Sequence, residues 1–119
     1  KLMTISPELA TRHYEAHRDR PFDPGLVRFM GESPVRAMVL EGVEAIATCR
    51  KMMGATFGRD AEPGTIRGDF GSSRSYNLIH GSDSPEAAER EINLFFDPNE
   101  IVEWQPAGHV WVYDAEDLA

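Results

Sequence analysis

Hydrophobic positions along the chain fall into short periodic groups separated by prolines and glycines. Leu2, Met3 and Ile5 read as the last part of a strand, with earlier strand residues expected before the chain opens. Ser6-Pro7-Glu8 is a helix start: Ser6 can cap, Pro7 fits the first turn, and Glu8 favours the positive helix end. That helix is expected to run to about His17. Asp19 to Gly25 holds two prolines and a glycine and predicts a loop. Leu26, Val27, Phe29 and Met30 predict a short second helix ending at Gly31. Val35 to Leu40, mostly apolar and bounded by Pro34 and Glu41-Gly42, predicts a buried strand. Val43, Ile46, Cys49 and Met53 then have helical spacing, with Gly54 placed as a terminal glycine. Residues 54–75 are rich in glycine and predict a long structureless stretch, a length that is usually functional or mobile. Tyr76 to His80 predicts a short strand. Ser84-Pro85-Glu86 repeats the first helix-start signal, and Ala88, Ile92 and Phe95 or Phe96 form the expected packing face. Asp97-Pro98 ends that helix. Trp104, Val110, Trp111 and Val112 imply that the tail docks on the body or on a neighbour. Residues 114–119 predict an exposed acidic end. The order of elements predicts a small α+β or α/β sandwich.

Composition narrows the function classes. The 119 residues make one domain and carry a formal net charge of -8. That charge opposes nucleic-acid coating and binding to anionic membranes, both of which need a basic field. It leaves room for a phosphate-bearing ligand held by a local cluster of donors. Ten of the twelve basic residues are arginines, whose planar fork suits phosphate. A general compositional habit explains most of them equally well. The single cysteine excludes an intrachain disulfide and a cysteine-built metal site, and Cys49 reads as a small buried hydrophobe. No apolar run approaches the ~18 residues of a membrane span.

His80 is the most informative residue for chemistry. It closes a predicted strand, and Gly81 leaves its ring uncrowded. A neutral imidazole is a competent nucleophile or base. Glu91 lies on the next helix, one position from Ile92. It is either at the edge of the packed face, where it can hold a histidine tautomer, or a solvated surface residue. A helical ion pair does not account for it, because Ala87, Ala88, Leu94 and Phe95 occupy the neighbouring turns. Arg67, flanked by glycines in Pro63-Gly64-Thr65-Ile66-Arg67-Gly68-Asp69-Phe70, can approach a polyphosphate closely, and Arg50 can add a second donor. The segment matches neither a P-loop nor a dinucleotide fingerprint. His13 and His17 have the i,i+4 spacing of metal ligands, but Glu15 stands in the wrong place for a His-Glu-x-x-His motif.

These elements together resemble nucleoside diphosphate kinase. The resemblance is carried by Arg50-Lys51-Met52-Met53-Gly54-Ala55-Thr56, Pro63 to Phe70, Asn77-Leu78-Ile79-His80-Gly81-Ser82-Asp83-Ser84, Glu89-Arg90-Glu91-Ile92 and Leu94-Phe95-Phe96. His13-Tyr14, Pro21-Phe22, Gly25-Leu26-Val27, Pro34-Val35 and Trp111-Val112-Tyr113 extend it over essentially the whole chain. It implies a ferredoxin-like sandwich with a four-stranded antiparallel sheet in the complete domain. It also implies transfer of the terminal phosphate of a nucleoside triphosphate to a nucleoside diphosphate, by a ping-pong route through phosphohistidine. By residue, the resemblance puts the nucleophile at His80, its orienting carboxylate at Glu91, and Ser82 and Tyr14 beside them. Arg50, Thr56 and Arg67 match diphosphate-binding positions, and Asn77 a ribose contact. Phe22 matches the aromatic that stacks on the base, with Leu26 lining the same cleft. Mg2+ is the implied cofactor, held mainly by nucleotide phosphates with help from Asp83. The implied partners are ATP, nucleoside diphosphates and further copies of the chain, a hexamer rather than a tetramer, in the cytoplasm, without nucleic acid or membrane. Stacking without base-edge hydrogen bonds predicts a broad nucleotide range.

Three departures accompany the resemblance. Family members start with a strand ending in Lys-Pro-Asp-Gly and then a helix, so residues 1–119 are expected to form a single domain incomplete at its N-terminus. Asp23 stands where a second phenylalanine is common, and Phe57-Gly58 where Asn-Pro is common. The competing expectation is an impaired nucleotide-binding or assembly module.

Overall fold

The computed structural model describes residues 1–15, 23–74 and 76–117. It is an α+β structure whose two-stranded antiparallel sheet pairs β1 (Leu2–Met3) with β2 (Val35–Arg36). Leu2 lies opposite Arg36 and Met3 opposite Val35. The ladder ends as the Ala37 amide donates to the Lys1 carbonyl at 2.9 Å. The expected strand over Val35–Leu40 is therefore shorter than its apolar run. Strand structure requires a hydrogen-bonded neighbour as well as apolar side chains. Beyond Ala37 no ladder continues among the described residues, and Met38 and Leu40 are exposed.

Two compact units divide the chain: residues 1–39 with 93–119, and residues 40–92. In the first, α1 (Pro7–Glu15) starts as the sequence predicts. Ser6 Oγ accepts from the Leu9 amide at 3.1 Å. Glu8 is held below the usual carboxylate range by its own backbone amide and then by the Ser6 hydroxyl. Residues 16–22, including His17, lie outside the described residues. Asp23 caps α2 (Pro24–Gly31), its Oδ1 accepting from Gly25 N at 2.8 Å, so this helix begins two residues before the apolar pattern. Among the described residues of the unit, the buried apolar ones are Ile5 and Ala10. His13 is buried beside them, with Phe95 edge-on at 5.6 Å between ring centres. The tail is exposed rather than docked within its unit: Trp104 is 75% and Trp111 89% accessible.

The second unit contains α3 (Ala45–Met53), α4 (Ile66–Phe70) and most of α5 (Pro85–Phe95). Gly54 ends α3 at φ 84°, the left-handed region that glycine enters freely. Cys49 is half-buried on α3 rather than enclosed. The expected structureless stretch 54–75 contains a 3-10 turn at Gly58–Asp60 and the one-turn helix α4. Thr65 makes that helix possible: its Oγ1 accepts from Gly68 N at 3.0 Å and donates to the Glu62 carbonyl at 2.6 Å. Asp69 Oδ1 closes the same loop on Gly64 N at 2.7 Å. Ser84 starts α5 by accepting from Ala87 N at 3.1 Å. The buried face of α5 is centred on Ala87 and Glu91, one position before the expected Ala88–Ile92 line.

Candidate active site

The segment expected to be a strand, Tyr76–His80, has no ladder partner among the described residues. Its backbone makes a tighter feature. Leu78 has φ 71°, and the Ile79 amide donates to the Asn77 carbonyl at 2.8 Å. This is a γ-turn of the strained, positive-φ kind. A leucine held there costs about 1–3 kcal/mol, so the surroundings must impose it.

Arg67 bonds to the turn on both sides. Its side chain is buried, and three of its nitrogens donate to backbone carbonyls: Nε to Asn77 at 3.1 Å, Nη2 to Ile79 at 2.5 Å and Nη1 to Gly54 at 3.2 Å. The planar fork thus ties the end of α3 to both sides of the turn. A guanidinium has five N–H groups, so two remain for other acceptors. Burial, and secondarily the nearby Arg50 charge, push the Arg67 guanidinium below its ordinary value. A phosphate brought to this place would relieve that positive charge.

His80 follows the turn directly. Its side chain is 57% exposed, whereas that of Glu91 is 9% exposed. His80 Nε2 donates to Glu91 Oε2 at 2.9 Å, and Ser82 Oγ donates to the same oxygen at 2.6 Å. An ionised carboxylate only accepts, so the bond places the ring proton on Nε2 and the lone pair on Nδ1. Glu91 is therefore a packed residue with two donors and not a solvated one. Gly81 permits the close approach below: a Cβ there would sit 2.7 Å from Met53 Sδ. Its carbonyl accepts from Arg50 Nη1 at 3.2 Å.

The second unit thus brings His80, Ser82 and Glu91 into one hydrogen-bonded set. Arg67, Asn77 and Arg50 are tied to the same segment through its backbone. Thr56 is exposed after α3, and Asp83 is exposed three residues beyond His80. In the other unit, Tyr14 is half-buried on α1 and Leu26 half-buried on α2. Phe22 lies outside the described residues. Sequence reasoning missed the carbonyl clamp of Arg67, because arginine by composition belongs to the surface. The glycines flanking it were the available signal.

An exposed imidazole held by a buried carboxylate, with arginines close by, has the chemistry to attack an anionic group. The comparisons identify the group transferred. A sequence model described as "Nucleoside diphosphate kinase" matches residues 1–101. A nucleoside diphosphate kinase of Thermosynechococcus vestitus is 58% identical over 114 residues, covering 96% of this chain and 76% of the relative. The solved structure of a halophilic nucleoside diphosphate kinase from Halobacterium salinarum in complex with CDP aligns with TM-score 0.89 and 52% identity, covering 96% and 76% of the two chains. A family protein from Babesia bovis aligns with TM-score 0.88 and 38% identity, covering 95% and 76%. This chain belongs to the nucleoside diphosphate kinase family and spans about three-quarters of the length of these relatives. It is an enzyme that transfers the terminal phosphate of a nucleoside triphosphate to a nucleoside diphosphate through a phosphohistidine.

Proposed function

We propose that His80 is the histidine that carries the phosphate, with Nδ1 as its attacking atom. The observation that carries this reading is the Nε2–Glu91 bond, which leaves the nucleophilic lone pair on the other nitrogen. Nδ1 bonds to the γ-phosphorus as the bond from phosphorus to the β-phosphate oxygen breaks, and the nucleoside diphosphate departs. A second diphosphate attacks the phosphohistidine by the reverse path. Positive charge grows on the ring as the N–P bond forms, and the Glu91 carboxylate offsets it from the Nε2 side. Ser82 holds that carboxylate in place by donating from Oγ to the same oxygen.

Transfer of this kind depends on placement and on neutralising the moving charge. Arg50, Thr56 and Arg67 would meet the diphosphate, and Asn77 the ribose. Phe22 and Leu26 would hold the base, and Tyr14 would stand near the nucleophile. Base stacking without edge recognition gives the broad nucleotide range. A divalent cation suits the donor set at Asp83, an exposed oxygen ligand, whereas Glu91 Oε2 already accepts two hydrogen bonds. Asp83 would hold Mg2+ together with the nucleotide phosphates, where the ion supplies neutralisation of phosphate charge. On this reading residues 1–119 belong to one nucleoside diphosphate kinase domain of ferredoxin-like architecture, incomplete at its N-terminus. The exposed Trp104 and Trp111 are available for contact with further copies of the chain, and the assembly proposed from the family resemblance is a hexamer rather than a tetramer.

Initial rates test the route. Varying the triphosphate at several fixed diphosphate concentrations should give parallel double-reciprocal lines, as a shuttling phosphoenzyme requires. Intersecting lines would mean direct transfer between two bound nucleotides.

A further inference from the structure

The strained turn before His80 raises a question that phosphate binding does not answer. Leu78 has an exposed side chain and gains little packing from its left-handed backbone. Nothing in its own chemistry favours φ 71°. The turn sets where the next residue leaves the chain, and that residue leads directly into His80. Both carbonyls flanking Leu78, those of Asn77 and Ile79, accept from Arg67. The third acceptor, Gly54, lies at the end of α3 and anchors the guanidinium to a helix. The Asn77 carbonyl also takes the Ile79 amide of the turn itself, so one oxygen joins the clamp and the turn.

We infer that Arg67 is a positioning residue, whose guanidinium clamps the γ-turn at Leu78 and so presents His80 to the phosphoryl group. The inference rests on the reading of His80 as the phosphate carrier. It adds to Arg67 a task separate from contact with a diphosphate. Lysine at this position would retain the charge toward a phosphate and lose the planar fork that reaches three carbonyls at once. Glycine at position 78 would enter the turn without the cost that leucine bears, and would need the clamp less.

The test separates positioning from nucleotide contact by using phosphoramidate, a small phosphoryl donor without a nucleoside or diphosphate. Its P–N bond breaks, ammonia leaves, and the N–P bond to His80 forms. Labelling rates are measured for the unmodified protein, Arg67→Lys, Leu78→Gly and the double variant, with ATP as a parallel donor. Misplacement of the nucleophile predicts Arg67→Lys labelling by phosphoramidate about ten- to a hundredfold more slowly. The same substitution in the Leu78→Gly background should cost severalfold less. Labelling of Arg67→Lys at the unmodified rate by phosphoramidate, with loss confined to ATP, would overturn the inference and leave Arg67 a phosphate contact. An equal defect in both backgrounds would also overturn it. If Arg67→Lys does not fold, Arg67→Gln replaces it. Failure of both to fold, with no rescue by Leu78→Gly, would mark a purely structural arginine and contradict the inference. Absence of His80 label in the unmodified protein with either donor would instead contradict the phosphohistidine reading itself.

Discussion

Glu91 places a carboxylate on the inner face of α5, where it accepts from an imidazole and a hydroxyl. Its sequence position left that burial undecided: the chain pattern put Glu91 one step from Ile92, at an edge. The structure shifts the packed line to Ala87 and Glu91, which are spaced by one helical turn. Glu91→Gln would retain the shape and an acceptor oxygen while removing the charge that balances the phosphorylated ring. Hydrogen bonds to charged groups contribute about 1.5–3 kcal/mol, so phosphorylation should slow by roughly ten- to a hundredfold. KM for ATP should change far less than kcat, because the lost interaction strengthens as the N–P bond forms. Steady-state kinetics of the variant checks both numbers. A rise in KM alone would mean that Glu91 acts in nucleotide binding.

At the scale of elements, cap residues were the legible part of the sequence. Ser6 and Ser84, each followed by proline and glutamate, start α1 and α5 where the pattern placed them. Thr65 is a cap of the same chemistry, but glycines on both sides concealed the one-turn helix that it starts. The turn at Leu78 was not legible. Positive φ at a leucine has no local sequence cue and exists because Arg67 and the Asn77 carbonyl impose it. A short segment such as Tyr76–Ile79, apolar but for Asn77, therefore reads as strand even where the chain turns. The cap at α5 matters to the site, because α5 carries Glu91. Ser84→Ala should lower stability by about 1 kcal/mol, read in urea or thermal unfolding. No loss would mean that the contacts of the inner face alone fix the helix start.

The whole molecule carries a charge of -8 and nevertheless works on anionic substrates. Local placement reconciles the two: Arg50 and Arg67 donate to backbone carbonyls of the segment that carries His80. Glu100 is held below the usual carboxylate range by Lys1, whose Nζ donates to it at 2.7 Å, and then by the Asp97 amide at 2.9 Å. A carboxyl whose pKa falls on folding stabilises the fold above its unfolded pKa, and that contribution is lost as pH falls through the folded value. Carbon-detected NMR titration should place the Glu100 midpoint below that of an ordinary glutamate, and Lys1→Met should raise it. An unmoved midpoint would mean that the ion pair does not form in solution. The same net charge predicts that thermal stability rises with salt as self-repulsion is screened.

Covalent labelling decides whether His80 becomes the phosphohistidine. The protein is incubated with γ-labelled ATP, quenched, and divided between acid and alkali, with the labelled peptide mapped by mass spectrometry. One phosphate is expected at His80, lost in acid and kept in alkali, absent from His80→Ala and discharged by added nucleoside diphosphate. Folded protein that takes up no label, or His80→Ala that takes up as much as the unmodified chain, would contradict it.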